Sequence, residues 1–128
     1  MYSQKRQLGS WGEHIAKRYL LFKKYRICGT NIYNRYGEID ILATKQGVYH
    51  FVEVKTVSDT TYGLPEDSLT VYKQGCIQRT ITHFIDENEH IVDWQVDIIL
   101  IVVDKKKRKI SLIFIPDYEF DEQLIESF

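Results

Sequence analysis

The feature that most constrains the fold of this chain is a pair of apolar segments with charges at alternate positions. The first reads Gly-Glu-Ile-Asp-Ile-Leu-Ala and carries Glu38 and Asp40; the second reads Phe-Val-Glu-Val-Lys and carries Glu53 and Lys55. Residues two apart on a β-strand share a face, so each pair of charges points to one side of its strand. A short connection around Gly47 predicts that the two strands form a hairpin.

The length of the hairpin turn decides which charges meet. If residues 46–47 form a two-residue turn, with its glycine supplying a positive φ, Asp40 lies opposite Glu53. Glu38 then lies opposite Lys55. A four-residue loop would instead place Glu53 opposite Glu38, with Asp40 diagonally adjacent on the same face, whereas a three-residue loop would send the two sets to opposite faces.

Opposed carboxylates on one face of a hairpin favour a metal-dependent site. Directly opposed Cβ atoms lie about 5 Å apart, where like charges destabilise each other. A divalent cation between them reverses the sign of that interaction, and Mg²⁺ takes oxygen ligands, commonly carboxylates together with waters and substrate phosphates. A lysine beside such a pair can orient or activate a water. Asp40, Glu53 and Lys55 therefore form a candidate site for cleaving phosphodiesters.

A solvated strand face is the competing interpretation, because charges at alternate strand positions usually face water. The composition of the second strand argues against it. Its charged face also carries Tyr49 and Phe51, and its other face carries His50 among valines. Both faces are largely apolar, which predicts a strand covered on both sides, where half-buried charges need partners or a function.

Length and composition predict one domain, residues 1–128. The chain is 44% hydrophobic and 27% charged with a net charge of −1, which is ordinary for a globular protein and gives no global indication of nucleic-acid binding. Basic residues nevertheless concentrate in residues 1–26 and acidic ones in residues 117–128. This dipolar pattern permits a phosphate-facing side, although charge alone favours a solvated first helix as the explanation of the basic stretch.

The cysteines and the hydropathy pattern predict a cytoplasmic protein. Cys28 and Cys76 lack metal-type spacing and are expected to be free thiols in a reducing compartment. The N-terminus is polar, without the apolar core of a secretory signal. No apolar run approaches the ~18 residues of a transmembrane helix, so we expect no membrane segment.

Hydrophobic periodicity predicts a mixed α/β domain around a central sheet, in the order helix, three strands, helix, two strands. Helices are expected over residues ~8–24 and ~70–87, the second capped by Thr70. Asp97 interrupts the most apolar strand, so we expect it to be buried and hydrogen-bonded. The predicted strands cover residues 27–34, 38–44, 48–56, 95–103 and 110–115, with a loop over 58–65.

Several short segments, in order over residues 8–103, match one group of proteins. They are Gly9-Ser10-Trp11-Gly12-Glu13 with Ala16 and Tyr19-Leu20, Asn31, Arg35, Gly37–Ala43, Phe51–Thr56, Tyr62-Gly63 with Pro65, Lys73-Gln74 and Val96-Asp97. This series resembles the PD-(D/E)xK nuclease superfamily, in which an Asp and a Glu-x-Lys on adjacent strands build a metal site. More closely, it resembles the YraN family of small nuclease-like bacterial proteins, related in fold to archaeal Holliday junction resolvases.

The resemblance implies a restriction-endonuclease-like fold, a mixed central sheet flanked by helices, and a Mg²⁺- or Mn²⁺-dependent endonuclease acting on double-stranded or branched DNA. It implies that Asp40 and Glu53 bind the metal and that Lys55 is the catalytic lysine. The Val54 carbonyl is a candidate further metal ligand. Glu13 matches the helix-borne glutamate that completes such sites in resolvase-like nucleases and is a fourth candidate catalytic residue.

Other positions are candidates for nucleic-acid contact or for support of the site. Arg35, Lys73 and Gln74 are candidate nucleic-acid contacts, with a solvated helix start as the alternative for the last two. Glu38 is expected either to support the metal ligands or to pair with Lys55. The family commonly has an arginine soon after its Lys-Thr step, but this chain has Val-Ser there, so fewer cations surround the expected site.

Two other functions are compatible with this sequence. A non-catalytic nucleic-acid-binding module would keep the fold and tolerate the sparse positive charge near the site. An assembly factor would have proteins as its main partners, and a homodimer is one form of such contact. The apolar run over residues 98–103 and the aromatic residues, 13% of the chain, could form the contact surface, although both features belong more often to a core.

Overall fold

A five-stranded mixed sheet with one helix on each face forms the framework of this protein. The computed structural model describes residues 4–58 and 70–120, with side chains from residue 9 onward. Strands β1 to β5 lie side by side in chain order; β3 and β4 run parallel and all other neighbours antiparallel. The elements are α1 Gln4–Phe22, β1 Arg26–Asn34, β2 Gly37–Lys45, β3 Val48–Val57, α2 Val71–Glu87, β4 Trp94–Asp104 and β5 Lys109–Ile115.

This architecture confirms the restriction-endonuclease-like α/β fold expected from the sequence. The predicted order of helices and strands is correct, and Thr70 caps α2 by accepting a hydrogen bond from the Lys73 N–H. Helix α1 begins at Gln4 rather than near residue 8. Of the loop predicted over residues 58–65, all but Ser58 lies outside the described residues.

The turn between β2 and β3 has two residues. Gln46 and Gly47 have φ values of 52° and 82°, both positive as a type I′ hairpin turn requires. Residues 41–45 then pair in register with residues 48–52. The two-residue alternative is therefore confirmed, and the charged positions of β2 and β3 face the same side of the sheet.

The two helices cover opposite faces of the sheet, because buried residues of β3 and β4 alternate between two apolar clusters. On one face, α1 packs through Ala16 and Leu20 onto a cluster that includes Ile41, Val52, Ile99 and Ile101. On the other face, α2 packs through Ile81 onto a cluster that includes Phe51, Val96, Ile98 and Leu100. Strand β3 is thus covered on both sides, as its sequence predicts.

Helix α1 approaches β3 closely at Gly12. A Cβ atom at this position would lie 1.9 Å from Thr56 Oγ1, so either the Thr56 side chain or the helix would have to shift to admit one. Within the described residues, Thr56 Oγ1 is buried without a hydrogen-bond partner. Gly12 weakens an isolated helix, but here it allows the contact that holds the next residue, Glu13, near the sheet.

Asp97 is buried and hydrogen-bonded, as predicted. Its Oδ2 lies 2.6 Å from Nδ1 of the buried His50, while its Oδ1 accepts hydrogen bonds from Gln95 Nε2 at 2.7 Å and from the Asp117 N–H at 2.9 Å. Burial by itself would raise the pKa of Asp97, but these hydrogen bonds prevail and lower it. The carboxylate thereby fastens the segment after β5 to the middle of the sheet.

Two further expectations concern the cysteines and the membrane. Cys28 and Cys76 are both free thiols. Among the described residues, neither helix has the length and apolar character needed to cross a bilayer.

Candidate active site

A cleft of about 530 Å³ opens beside the β2–β3 hairpin, between the sheet and the first turns of α2. Asp40, Glu53 and Lys55 all line it, so the structure brings together the three residues of the predicted hairpin site. The cleft is also bordered by Tyr36, Gly37, Glu38, Val54, Tyr72, Lys73, Cys76, Ile77 and Ile98.

The centre of the cleft is a contact between two carboxyl groups. The Glu53 carboxyl is hydrogen-bonded to that of Asp40. Asp40 Oδ2 also accepts a hydrogen bond of 2.9 Å from the Val54 N–H. The paired residues of β2 and β3 end at Ile41 and Val52, one position before Asp40 and Glu53. Beyond that pair, the Asp40 side chain rather than the main chain of β2 accepts the hydrogen bond from β3.

Burial makes both carboxyl groups harder to ionise. It raises the pKa of Asp40 from 3.8 to about 6, against the lowering effect of the hydrogen bonds with Val54 and Glu53 and with some help from the charges of Glu13 and Glu38. Burial, followed by the charge of Asp40 and the hydrogen bond with it, raises the pKa of Glu53 well above its usual value. A nearby cation would reverse this preference and favour both ionised forms.

A second acidic group overlaps the first. Glu13 from α1 and Glu38 and Asp40 from β2 each place a carboxylate oxygen within 4.8 Å of the others, and all three residues are partly buried. Carboxylate oxygens are the ligands that Mg²⁺ and Ca²⁺ prefer in proteins. Since Asp40 belongs to both groups, the four carboxylates form one acidic centre that could hold a divalent cation.

Asn31 connects two of these carboxylates. Its Nδ2 donates hydrogen bonds to Glu13 Oε2 at 3.1 Å and to Glu38 Oε1 at 2.6 Å. Its φ of 50° lies in the left-handed region, which asparagine adopts more readily than most residues. The exposed Tyr33 lies on β1 with Asn31 and donates a hydrogen bond to Glu38 on β2. The charge of Glu38, together with this hydrogen bond, raises the pKa of the Tyr33 phenol.

All four carboxylates of the acidic centre were candidates from the sequence. Two contacts that organise the centre, the hydrogen bonds from Asn31 to Glu13 and to Glu38, were not predicted. Glu13 and Asp40 lie together, as the resemblance implied. Glu38 was expected to support the ligands or to pair with Lys55, and its alternation with Asp40 on β2 was the available signal. The bond from Asn31 to Glu13 and Glu38 had no signal in residue spacing, since it joins β1, β2 and α1 only after folding.

The candidate nucleic-acid contacts are distributed unevenly. Lys73 is exposed and lines the cleft. Arg35 is exposed and does not line the cleft; its Nη2 donates to the hydroxyl of Tyr36, which does, at 2.8 Å, and its guanidinium lies 4.9 Å from the centre of that ring. Gln74 is half-buried on α2 and is not among the residues lining the cleft. The Val54 carbonyl as a metal ligand stays a prediction.

A five-stranded mixed sheet with a helix on each face, carrying Asp40 on one strand and Glu53 and Lys55 on the next, defines the class: an α/β protein of restriction-endonuclease-like fold with an acidic cleft. Within that class, the chain belongs to the uncharacterised protein family UPF0102, the YraN family, whose model matches residues 12–101.

Relatives in this family cover most of the chain. A UPF0102 protein of Syntrophomonas wolfei is 36% identical over 107 residues, which is 83% of this chain and 93% of the relative. One from Clostridium novyi is 33% identical over 116 residues, covering 90% and 97% of the two chains. One from Campylobacter hominis is 38% identical over 110 residues, covering 84% and 90%. These matches confirm the family resemblance, while the relatives' names assign no activity.

Proposed function

We propose that this protein is a divalent-cation-dependent DNA endonuclease that hydrolyses phosphodiester bonds in the cleft. The observation that carries the proposal is the Asp40–Glu53 pair, in which two largely buried carboxyl groups are hydrogen-bonded to each other. Lys55 lines the same cleft. In a purely structural role, such a pair would keep an unfavourable charge in the fold at neutral pH. A cation between the two groups removes that disadvantage.

The donor set suits a hard cation. The charged groups of the acidic centre are all carboxylates, and oxygen ligands favour Mg²⁺ or Mn²⁺ over softer metals. Asp40 and Glu53 would hold the ion, and Glu13 and Glu38 lie close enough to complete the charge around it. When bound, the cation would supply positive charge to offset the charge that builds on the phosphate during hydrolysis.

The chain's own residues would position the reactants. Lys55 lines the cleft beside the carboxylates and would orient a water toward the phosphorus. Lys73 lies in the first turn of α2 and would contact a flanking phosphate. The N-terminal end of a helix also favours an anion through its unpaired N–H groups, so the first turn of α2 supports phosphate binding at the mouth of the cleft.

A cleavage assay tests the proposal. Labelled linear and branched DNA would be incubated with the protein and Mn²⁺ or Mg²⁺, and products would be resolved under denaturing conditions. We expect cleavage by the wild type and its loss in Asp40→Asn, Glu53→Gln and Lys55→Met. The control is Glu89→Gln, which neutralises an exposed carboxylate in the turn after α2 and should cleave like the wild type.

Metal binding provides a second readout that does not need a substrate. Titration with Mn²⁺, followed by calorimetry or electron paramagnetic resonance, should show a site that Asp40→Asn weakens and Glu89→Gln preserves. The nuclease proposal would be overturned if the wild type, with either metal, cleaved every DNA no faster than Asp40→Asn does. If salt-sensitive DNA binding remained in that case, the chain would be a non-catalytic binding module instead.

A further inference from the structure

A second cavity adjoins the cleft, and Tyr36 belongs to both. This cavity has a volume of about 320 Å³ and lies between Tyr36, in the β1–β2 turn, and the outer side of α2. Tyr36 also lines the cleft that contains Asp40 and Glu53. A polynucleotide bound at these carboxylates would therefore have Tyr36 at the edge of its path, where the two spaces meet. We call the second space the Tyr36 cavity.

Aromatic rings line the Tyr36 cavity from both the β1–β2 turn and α2. The rings of Tyr36 and His83 meet edge to face, with centroids 5.5 Å apart. The exposed Arg35 places its guanidinium over the Tyr36 ring. Aromatic rings and arginine planes are the surfaces on which proteins stack unpaired bases.

The α2 side of the cavity also carries hydrogen-bonding groups of both kinds. Gln78 and Thr82 each carry a donor and an acceptor, Arg79 carries only donors, and Asp86 carries acceptors when ionised. They follow one stripe of α2, one or two helical turns apart. A base presents donors and acceptors along its edge, so this combination fits a base better than it fits a phosphate, which presents only acceptors at neutral pH.

We propose that the Tyr36 cavity binds an unpaired nucleotide adjacent to the cleaved phosphate. The substrate class would then be DNA with unpaired nucleotides at the cleavage position, such as a flap, fork or branch. This inference rests on the proposed nuclease function. A base inside a continuous duplex is stacked on both sides and cannot enter a concave cavity, whereas an unpaired base enters at a much smaller energetic cost.

The test measures binding without cleavage. The full chain would be titrated, with Ca²⁺ as an oxygen-binding cation in place of Mg²⁺ or Mn²⁺, into a fluorescently labelled duplex and into the same duplex carrying one unpaired nucleotide. We expect the second DNA to bind at least about five-fold more tightly, the lower end of the contribution of one base stacked on an aromatic ring. If the base is 2-aminopurine, its fluorescence should fall on binding because the base stacks.

Variants of the cavity separate stacking from other effects. Tyr36→Ala should abolish the preference for the unpaired nucleotide, and Tyr36→Phe should keep it because the ring remains. Thermal denaturation checks the folding of both. Should Tyr36→Ala not fold, Gln78→Ala combined with Thr82→Ala, on the accessible side of α2, should reduce the preference instead.

Two results would overturn the inference: equal affinity of the wild type for both DNAs, or a preference unchanged in folded Tyr36→Ala or, failing that, in the double variant. Either result is distinct from failure of the nuclease proposal. Absence of cleavage would leave the binding preference measurable, whereas absence of the preference would leave cleavage of continuous duplex intact.

Discussion

Replacing Asp40 with asparagine should stabilise the metal-free protein at neutral to alkaline pH. The substitution removes the charge that burial disfavours but keeps a side-chain oxygen that can accept the hydrogen bond from the Val54 N–H. Its amide can also donate to Glu53. Most substitutions at a hydrogen-bonded, partly buried position destabilise a protein, so a gain in stability here would be specific to the unfavourable charge.

The size and the pH dependence of the gain follow from the raised pKa. Asp40 ionises near 3.8 in the unfolded chain and near 6 in the folded one, so between these values the folded state binds more protons. Folding stability therefore falls as pH rises through this interval and stays low above it. The difference corresponds to roughly 3 kcal/mol at pH 8, or a rise of about 10 °C in Tm for Asp40→Asn.

The assay is thermal or urea denaturation in the presence of a chelator, at pH 8 and pH 4. Asp40→Asn should exceed the wild type clearly at pH 8 and only slightly at pH 4, where the folded wild type is already protonated at this carboxyl. Glu89→Gln, at an exposed position, should match the wild type at both values. Equal or lower stability of Asp40→Asn at pH 8 would refute the assigned charge penalty.

Adding a cation should reverse the order of the two proteins. Mn²⁺ at about a hundred times its Kd should stabilise the wild type by about 2.7 kcal/mol, because it binds the folded state alone. Asp40→Asn lacks one charged ligand and should gain much less. If the wild type gains nothing from Mn²⁺ or Mg²⁺ while Asp40→Asn is stabilised without metal, the carboxyl pair is strained but does not serve as a cation site.

Three further predictions concern the packing and the positioning of the site. Gly12→Ala should cost about 1–3 kcal/mol in urea denaturation through its clash with Thr56, and Thr56→Ala should restore part of it; strictly additive effects would contradict the contact. Asp97→Asn should lower the free energy of unfolding by about 3 kcal/mol or more. Because folding lowers the pKa of Asp97, this carboxylate stabilises the fold above about pH 3.8, its unfolded pKa, and the contribution disappears as pH falls through the folded pKa. The variant should therefore lose less stability in acid than the wild type. Asn31→Gly retains the positive φ and deletes the amide, so Mn²⁺ affinity should fall while Tm changes little; unchanged affinity would show that Asn31 does not position the carboxylates.

The hairpin and its charges could be predicted because local rules determine them. Period-two alternation assigns each charge to a face, and a glycine in a two-residue turn sets the register. For the two-residue turn, one of the three loop lengths that the sequence left open, they place Asp40 opposite Glu53 without reference to any tertiary contact. The burial of Asp97 was predictable for a similar reason, since a lone carboxylate in an apolar strand needs hydrogen-bond partners.

The contacts that assemble the centre could not be predicted in this way. The bond from Asn31 to Glu13 crosses from an edge strand to a helix, and nothing in the spacing of these residues specifies that distance. Gly12 is a further case, because a glycine near the start of a helix gives no indication that it lets α1 lie against Thr56 of β3. The Tyr36 cavity likewise depends on how a turn lies against α2, which residue patterns do not determine.

The position of the carboxylates within the fold explains why the same pair can destabilise the metal-free protein and yet favour binding of a cation. The ladder between β2 and β3 ends one step before Asp40 and Glu53, which leaves both carboxyl groups between the strands and beneath α2. The burial that raises their pKa values also excludes water, so the attraction between an ionised pair and a cation is screened less there than at an exposed surface. The charges that destabilise the metal-free protein at neutral pH would then increase its affinity for the cation. A variant such as Asp40→Asn, which removes this destabilisation, should bind the cation more weakly.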